Sequence, residues 1–389
     1  MHLCPSPEPA SLALFFTRGM SLQGWKAVGM LERELALYRW YLAHGRRVVL
    51  VTYGNGEDIR LGAKAIPGAQ VCCNEYNMDL DTYAKAIPRL HGAVLRDLDV
   101  FKTNQVPGAG EALAASRVLG KPLLVRCGYL PSYIMGRRHG QASKEKREAL
   151  SLETEVFRQA EHVVVTTREM AVDVLRRVPH VRVTVVPNYV APEFFPPRET
   201  MFEFDCCFVG RLHPEKNVLA LLDAVRETPW RVLVVGDGEL RDEVASRVDA
   251  MGERIRWELR VCHSQLPARM NQARLFILPS LYEGHPKTLM EAMFLGMPVV
   301  GADSPGIEPL VRDSGGGWLC GHDARAIHNV LHCALSSPDE LRRRGISGQC
   351  FARRHFDLES VAALEERVLR DTVNTSHAPV RNKEGYTYG

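Results

Sequence analysis

Short β-rich segments alternate with longer segments of helical periodicity along most of this chain of 389 residues. The alternation runs in two series, separated by residues 185–197, which hold four prolines and no helical period. Buried strands that alternate with helices are typical of a parallel sheet covered by helices on both faces. The sequence therefore predicts an α/β protein of two Rossmann-like domains, whose parallel sheets face a central cleft.

The elements of the two series can be placed from these patterns. Strands of the first series are predicted over 12–16, 47–52, 100–103, 122–126, 162–165 and 181–186, and helices over 25–44, 110–119, 143–159 and 169–177. Strands of the second series are predicted over 204–209, 231–235, 275–278 and 298–301, and helices over 218–227, 240–251, 265–272, 287–295 and 324–335. The predicted domains are 1–187 and 204–356, with a hinge linker over 188–203, an amphipathic helix over 357–372 that packs back on the N-terminal domain, and a flexible tail over 373–389.

Composition excludes several other protein classes. Hydrophobic residues make up 46% of the chain and charged residues 24%, which excludes disordered and fibrous proteins. A formal charge of +3 does not indicate a nucleic-acid partner, and none is expected. No apolar run is long enough for a membrane span or a signal peptide. The ten cysteines are irregularly spaced, which favours reduced thiols in a cytoplasmic protein.

Two acidic residues mark the most informative segment, residues 275–300, which reads LFILPSLYEGHPKTLMEAMFLGMPVV. Its pattern predicts a strand, a loop with Glu283, a helix with Glu291 and a second strand. The helix begins near residues 286–288, where free N–H groups can bind an anion beside both acids. Phosphates at the helix and hydroxyls on the carboxylates would suit a nucleotide-sugar. From this segment alone, both glutamates could equally be surface charges.

Two cations follow the first strand of the second series, in FVGRLHPEKN over residues 208–217. Arg211 and Lys216 come after Gly210, where they can neutralise a diphosphate, and Arg211 can do so bidentately. Cations at a helix start are disfavoured by the helix dipole, which favours a functional role over a solvated one. The segment VVGDGELR over 234–241 lacks the third glycine of GxGxxG. It therefore favours a tight turn and argues against a nicotinamide-dependent dehydrogenase.

Together these three segments resemble the donor domain of retaining glycosyltransferase family 4, which has the GT-B fold. The resemblance is strong over 204–311 and weaker over the N-terminal half. It implies that Arg211 and Lys216 bind the donor diphosphate and stabilise the leaving group, that Glu291 binds the ribose, and that Glu283 lies near the donor sugar. The catalytic residues implied are thus Arg211, Lys216 and Glu283. The donor-binding residues implied are Gly19, Gly210, Arg211, Lys216, Cys262, Glu283, His285, Pro286, Lys287, Thr288 and Glu291.

The N-terminal half carries weaker signals for an acceptor site. In TRGMSLQGWKAVGMLERE, residues 17–34, Gly19 and Gly24 resemble the loop that closes over the donor phosphates. Many family members have a histidine after the strand that corresponds to 122–126, whereas this chain reads VRCGYLPSY there. The acceptor-side candidates are instead Asp97 or Asp99, Lys102, Asn104, Gln105, Arg126 and Tyr129.

The resemblance implies a retaining glycosyltransferase that moves a sugar from a UDP- or GDP-sugar to a glycan, a glycolipid or another hydroxyl acceptor in bacterial surface polysaccharide or glycoconjugate biosynthesis. Because Arg211 and Lys216 can supply the charge that a metal would give, we expect neither an essential metal nor a cofactor. Two alternatives stay open: an epimerase or hydrolase of nucleotide-sugars with the GT-B fold, and a non-catalytic sugar-nucleotide-binding subunit.

A basic window over residues 117–147 contains eight Arg and Lys residues and one Glu, with apolar residues between them. Such a surface could contact an anionic membrane leaflet or a lipid-phosphate acceptor. A peripheral position at the inner face of the membrane is the corresponding expectation, and a solvated basic loop is the alternative.

Overall fold

A computed structural model describes residues 11–191 and 201–376, and these residues divide into two compact units. The first unit holds the described residues up to Gly24, Tyr38–Val186 and the chain from Ala362. The second holds Trp25–Leu37 and Pro187–Val361. The short segment Trp25–Leu37 thus belongs with the second unit, although the predicted domain boundaries placed it in the first. The rest of the predicted linker and tail, 192–200 and 377–389, lies outside the described residues.

The first unit is built on a seven-stranded parallel sheet with the order β3-β2-β1-β4-β5-β6-β7. Its strands are β1 (Leu12–Phe15), β2 (Val48–Val51), β3 (Gln70–Cys72), β4 (Val100–Thr103), β5 (Leu123–Cys127), β6 (His162–Val165) and β7 (Val183–Val185). Strands β1, β2, β4 and β6 are buried along their whole length, as expected of a sheet that has helices on both faces.

Nine α-helices precede the linker within the described residues. They are α1 (Leu22–Ala27), α2 (Leu31–Ala43), α3 (Gly56–Ala65), α4 (Leu80–Leu90), α5 (Gly92–Leu95), α6 (Ala109–Leu119), α7 (Pro131–His139), α8 (Lys144–Gln159) and α9 (Arg168–Arg177). The single helix predicted over 25–44 is divided into α1 and α2. Gly29 lies between them with a φ of +72°, a left-handed conformation that interrupts a right-handed helix.

The second unit contains a six-stranded parallel sheet with the order β10-β9-β8-β11-β12-β13. Its strands are β8 (Phe204–Val209), β9 (Val232–Val235), β10 (Ile255–Glu258), β11 (Ala273–Leu278), β12 (Val299–Ala302) and β13 (Gly317–Cys320). Its helices are α10 (Val218–Val225), α11 (Arg241–Met251), α12 (Leu266–Asn271), α13 (Lys287–Phe294), α14 (Glu308–Ser314), α15 (Ala324–Leu335) and α16 (Pro338–His355).

Three strands escaped the sequence analysis, and all three lie at sheet edges. β3 is an edge strand of the first sheet, and β10 and β13 are the two edges of the second. Each carries partly exposed residues, so none shows the continuous apolar run by which a central strand is recognised. Edge position alone is not the reason, since the edge strand β7 was predicted from its valines, whereas Gln70, Arg256 and Gly317 interrupt the apolar run in the three strands that were missed.

The last helix, α17 (Leu358–Ser376), is longer than the predicted 357–372. Its residues from Ala362 belong to the first unit. There the buried carboxylate of Glu365 accepts a hydrogen bond from the Tyr41 hydroxyl at 2.8 Å and pairs with the ammonium of Lys102. The next residue, Glu366, pairs with Arg46.

Strand order reverses once in each sheet, between β1 and β4 in the first unit and between β8 and β11 in the second. In open parallel sheets ligands bind outside the carboxyl ends of the strands at this switch point, because the flanking loops diverge there. The loops after β8 and β11 are therefore where a ligand site is expected in the second unit.

Candidate active site

A cavity of about 500 Å³ opens at the carboxyl ends of β8, β9 and β10 in the second unit. Apolar side chains of Val28, Met30, Val261 and Leu266 form much of its wall. Gly210 and Arg211 line it from the loop after β8. It therefore combines an apolar wall with a cationic rim, as a site for a nucleotide requires.

The two predicted diphosphate ligands differ in their surroundings. The Arg211 side chain is 72% exposed, and its nearest acid is Glu215, with 3.4 Å between Nη2 and Oε1. Lys216 ends a short 3-10 helix, Pro214–Lys216, and only 16% of its side chain is exposed. Asn217 follows in a left-handed conformation, and its amide donates to the carbonyls of Pro279 and His322. These bonds hold the loop that carries Lys216.

Glu283 meets Lys216 across 67 residues of sequence, with 2.5 Å between Oε1 and Nζ. The hydroxyl of Ser280 donates to the same oxygen at 2.8 Å. The backbone N–H of Glu283 donates to the carbonyl of Pro305 at 3.2 Å. Next to it, a Cβ on Gly306 would lie 2.3 Å from the Glu283 carbonyl oxygen, so the loop passes closely only because this residue is glycine. The structure thus brings Lys216 and Glu283 together.

Glu291 is 2% exposed and lies one turn into α13. Its Oε1 is 3.0 Å from His263 Nε2 and 3.7 Å from Arg33 Nη1. Its Oε2 is buried and has no hydrogen-bond partner among the residues that the structure describes. The carboxylate therefore has one oxygen held by the protein and one left for another donor.

Electrostatics keeps Glu291 ionised in spite of its burial. Burial by itself would raise the pKa of this carboxyl group, because it penalises the charged form. The hydrogen bond from His263 and the charges of Arg33 and Lys287 act in the opposite direction and bring the pKa below its ordinary value. Glu291 is therefore a hydrogen-bond acceptor at neutral pH.

A second acid balances the cations around Glu291. Glu34 accepts from Lys287 Nζ at 2.6 Å and is 3.5 Å from Arg33 Nε. Arg33 and Lys287 therefore face Glu34 and Glu291, two positive charges against two negative ones. Sequence analysis missed His263, Arg33 and Glu34, although it quoted residues 17–34 and named Cys262. A histidine directly after Cys262, and charges at the end of residues 17–34, were the available signals.

The other residues assigned to the donor are placed as follows. Cys262 is exposed and directly precedes His263. The buried ring of His285 accepts a hydrogen bond from the N–H of Asn188 at Nδ1 (3.1 Å), and its carbonyl accepts from the Asn188 amide (2.8 Å). Pro286 precedes α13 and provides no side-chain hydrogen bond to the first N–H groups of the helix, around Lys287 and Thr288. The donor-binding roles of these residues stay predictions.

In the first unit, Gly19 lies in the turn after β1 with a φ of +76°. Its neighbour Arg18 pairs with Asp81 and Glu111. Among the acceptor-side candidates, Asn104 and Gln105 directly follow β4 and are half-buried. Gln105 Oε1 accepts from the N–H of Gly128 at 2.9 Å, next to the half-buried Tyr129.

Two of the acceptor-side candidates need correction. Lys102 has no exposed surface, and its ammonium pairs with Glu365 and lies 5.0 Å from the centre of the Tyr38 ring. Asp99 precedes β4 and accepts from the N–H and hydroxyl of Ser11 at 2.6 and 2.7 Å, which places it at the amino end of the strand. Neither residue can meet an acceptor at the carboxyl edge. Asp97 is exposed and lies two residues before Asp99. The charge of Arg126, another of the candidates, lowers the pKa of the buried Glu365.

Over residues 11–191 and 201–376, no helix has the length and apolar character needed to cross a membrane. Within those same ranges, no three His, Cys, Asp or Glu side chains are grouped so that they could hold a metal ion.

Two sequence families match this chain. The family described as "Glycosyl transferases group 1" matches residues 203–337, and the one described as "Glycosyl transferase 4-like domain" matches residues 29–189. The chain belongs to the group 1, family 4 glycosyltransferases. The first match covers Arg211, Lys216, Glu283 and Glu291, so all four charged residues of the site lie within the family's own domain.

Curated relatives of this glycosyltransferase family member include a galactosyltransferase and a mannosyltransferase. It is 30% identical over 158 residues to the UDP-Gal:alpha-D-GlcNAc-diphosphoundecaprenol alpha-1,3-galactosyltransferase of Escherichia coli, covering 36% of this chain and 41% of the relative. It is 31% identical over 182 residues to the phosphatidyl-myo-inositol mannosyltransferase of Mycobacterium leprae, covering 45% and 48%. The aligned region thus spans less than half the length of these relatives.

Solved structures agree with the predicted GT-B fold. Sucrose-phosphate synthase from Thermosynechococcus elongatus superposes with a TM-score of 0.76 at 18% identity, covering 94% of this chain and all of that one. HepE from Anabaena in complex with UDP-glucose superposes with a TM-score of 0.70 at 18% identity, covering 94% and 99%. At such identities the likeness establishes the fold alone.

Proposed function

We propose that this protein is a retaining glycosyltransferase that moves a sugar from a nucleotide-diphosphate sugar to a hydroxyl acceptor. The observation that carries the proposal is the charged group at the switch point of the second sheet. Arg211 is exposed there, Lys216 pairs with Glu283, and Glu291 is buried with one open oxygen. Cations for a diphosphate and carboxylates for hydroxyls are the two kinds of group that such a donor needs.

In this proposal, Arg211 and Lys216 bind the diphosphate. Negative charge grows on the leaving nucleoside diphosphate as its bond to the anomeric carbon breaks, and fixed cations stabilise that charge most strongly in the transition state. Glu283 orients Lys216 and accepts from hydroxyls of the donor sugar. The acceptor hydroxyl attacks on the face from which the diphosphate departs, so that the anomeric configuration is retained. NMR of the anomeric proton of the product tests this, and inversion would contradict it.

The same two cations support a proposal of metal independence. Because they supply positive charge beside the diphosphate, the reaction does not require a divalent ion for that purpose. Activity should therefore persist in saturating EDTA. Full loss of activity that Mn²⁺ restores would refute this part of the proposal.

For the substrates, we propose a UDP- or GDP-sugar as donor and a glycan or lipid-linked glycan as acceptor, in the synthesis of bacterial glycoconjugates. The relatives support this, since their names include UDP-Gal with a diphosphoundecaprenol acceptor and GDP-mannose with a diphosphopolyprenol acceptor. A thermal-shift panel of UDP-, GDP-, ADP- and dTDP-sugars identifies the donor, because a ligand at a hundred times its Kd stabilises by about 2.7 kcal/mol. Release of nucleotide that does not depend on an acceptor would indicate a hydrolase instead.

We also propose a peripheral membrane contact through the basic window. In the first unit, Arg137 and Arg138 are exposed at the end of α7, after the half-buried Ile134 and Met135. A basic residue near an anionic leaflet contributes about 1 kcal/mol, and salt screens the effect. Co-sedimentation with phosphatidylglycerol vesicles at low salt should fall by roughly tenfold or more on Arg137→Glu/Arg138→Glu, but not on Lys85→Glu, an exposed control on α4. Equal binding by both variants would favour a solvated loop.

A further inference from the structure

The hydrogen bonds around Glu291 are distributed unevenly between its two oxygens. Both nearby donors, His263 Nε2 and Arg33 Nη1, lie against Oε1. Oε2 is equally buried and has no hydrogen-bond partner within the described ranges. An unpaired oxygen on a buried carboxylate is costly, because the group has lost its water without gaining a donor. Such an oxygen suits a ligand hydroxyl that replaces the missing water.

The two donors have different roles in this arrangement. Arg33 lies near two acids, since its Nε is also 3.5 Å from Glu34. Together with Lys287 it balances the negative charges of Glu34 and Glu291. His263 approaches at hydrogen-bond distance, 3.0 Å, and is 9% exposed. It begins the 3-10 helix His263–Gln265, which lies between β10 and α12 in the chain. An element other than α13, the helix of Glu291, therefore holds it in place. Its Nε2–H can therefore fix the rotation of the carboxylate.

We infer that His263 is a positioning residue for nucleotide recognition: its Nε2–H holds Oε1 of Glu291 so that Oε2 accepts a hydrogen bond from one ribose hydroxyl. The inference rests on the proposed function, in which Glu291 faces the ribose. A buried acceptor that is aligned in advance discriminates strongly against an analogue without the hydroxyl, because that analogue leaves the acceptor unpaired. Without His263 the carboxylate can turn, and this discrimination weakens.

Binding of matched nucleotide pairs tests the inference. UDP, 2′-deoxy-UDP and 3′-deoxy-UDP, with the GDP series if GDP binds more tightly, are titrated by calorimetry into the full-length protein. The native protein should bind one of the two deoxy analogues about tenfold or more weakly than the parent nucleotide. In His263→Ala this ratio should fall to within about threefold. His263→Gln should restore it, because the glutamine amide nitrogen can reach the place of Nε2, whereas the shorter His263→Asn should not.

Controls separate positioning from loss of structure. His328→Ala removes another partly buried histidine of the second unit, one that bonds the carbonyl of Ala224, and should leave the ratio unchanged. In steady state, His263→Ala should raise the donor KM with little change in kcat, because a ribose contact is made equally in the ground and transition states. In a Glu291→Ala background, His263→Ala should have no further effect on nucleotide affinity.

The possible failures are distinguishable. If Glu291→Ala weakens nucleotide binding but His263→Ala keeps the full discrimination, the inference is wrong and the proposed function stands. If Glu291→Ala changes neither nucleotide nor donor binding, the proposed placement of the donor is wrong. If His263→Gln fails to restore the ratio while the protein remains folded, the role of His263 is structural only.

Discussion

The two units share one strand order around their switch points but differ in the chemistry of the carboxyl edge. In the second unit, Lys216 pairs with Glu283, and Glu291 keeps one open oxygen. In the first unit, the cation predicted at the end of β4, Lys102, points into the protein and pairs with Glu365 on α17. Gln105, at the same edge, accepts a hydrogen bond from the backbone N–H of Gly128, just after β5. Similar topology therefore does not imply similar sites.

The difference shows what a positional argument can and cannot establish. Residues in the second unit were chosen because their types and spacing resembled a known motif. Residues in the first unit were chosen only as polar or charged groups near the strands over 100–103 and 122–126, in place of a family histidine that this chain lacks. Successive side chains of a strand point to opposite faces, and a long side chain at its end can turn inward when an acid of another element lies beneath. Four experiments can break or sharpen this comparison.

The largest expected effect is on stability, at the buried pair of the first unit. Lys102→Met leaves the carboxylate of Glu365 buried without its cation, which should reduce the free energy of unfolding by about 3–5 kcal/mol. The double variant Lys102→Met/Glu365→Leu should recover most of it. Denaturation followed by circular dichroism measures both, with the exposed Lys144→Met as control.

The pH dependence of this pair has a definite sign. Burial would raise the pKa of Glu365, but Lys102 and Arg126 and the hydrogen bonds to Glu365 bring it below its ordinary value. A lowered pKa stabilises the folded protein above the pKa of the unfolded state, and the contribution is lost as pH falls through the folded value. The deficit of Lys102→Met should thus persist at about pH 5 and shrink in stronger acid. Unchanged stability at neutral pH would contradict the buried pair.

The next effect is on turnover, at the cations of the second unit. Arg211→Ala and Lys216→Ala should each lower kcat by ~10²–10³, because preorganised charge matters most where the leaving group develops its own. Arg312→Ala on α14, an exposed arginine of the same unit, is the matched control and should leave kcat unchanged. Native turnover in either folded variant would remove that residue from the site.

The third effect is on binding and distinguishes the role of Glu291 from that of Glu283. Glu291→Ala should weaken nucleoside diphosphate and intact donor alike by about 1.5–3 kcal/mol, the usual range for a hydrogen bond to a charged group. Glu283→Gln should leave nucleotide affinity nearly unchanged and lower turnover with the donor, because a free nucleotide has no sugar to lose. Calorimetry with both ligands measures this, and Glu340→Ala, at a side chain that is 43% exposed on α16, is the control. Equal losses of both ligands in Glu283→Gln would refute the assignment.

The smallest effect is expected at the edge of the first unit. If Asn104 contacts the acceptor, Asn104→Ala should raise the acceptor KM about three- to tenfold, equivalent to one neutral hydrogen bond. The donor KM should not move. Gln105→Ala should instead reduce stability by about 1 kcal/mol, because Gly128 loses its acceptor. A changed donor KM in Asn104→Ala would contradict the assignment of this residue to the acceptor.

Much of the fold was predictable because its signals are local. The central strands carry continuous apolar runs, and the helices between them repeat with a helical period, so two α/β series could be recognised without any contact information. The strands β3, β10 and β13 were missed because a polar residue or a glycine, Gln70, Arg256 and Gly317 respectively, interrupts that run. The division of α1 from α2 at Gly29 depends on one backbone conformation, to which periodicity is insensitive.

The sequence by itself determined the α/β class, the two series and the identity of the charged residues in the donor motif, because each of these is written within a few tens of consecutive residues. Only the tertiary structure decided their partners. Lys216 meets Glu283 across 67 positions, His263 meets Glu291 across 28, and Lys102 meets Glu365 across 263. A charge leaves water only where an opposite charge or a donor is brought beside it, and the packing of distant elements chooses that partner.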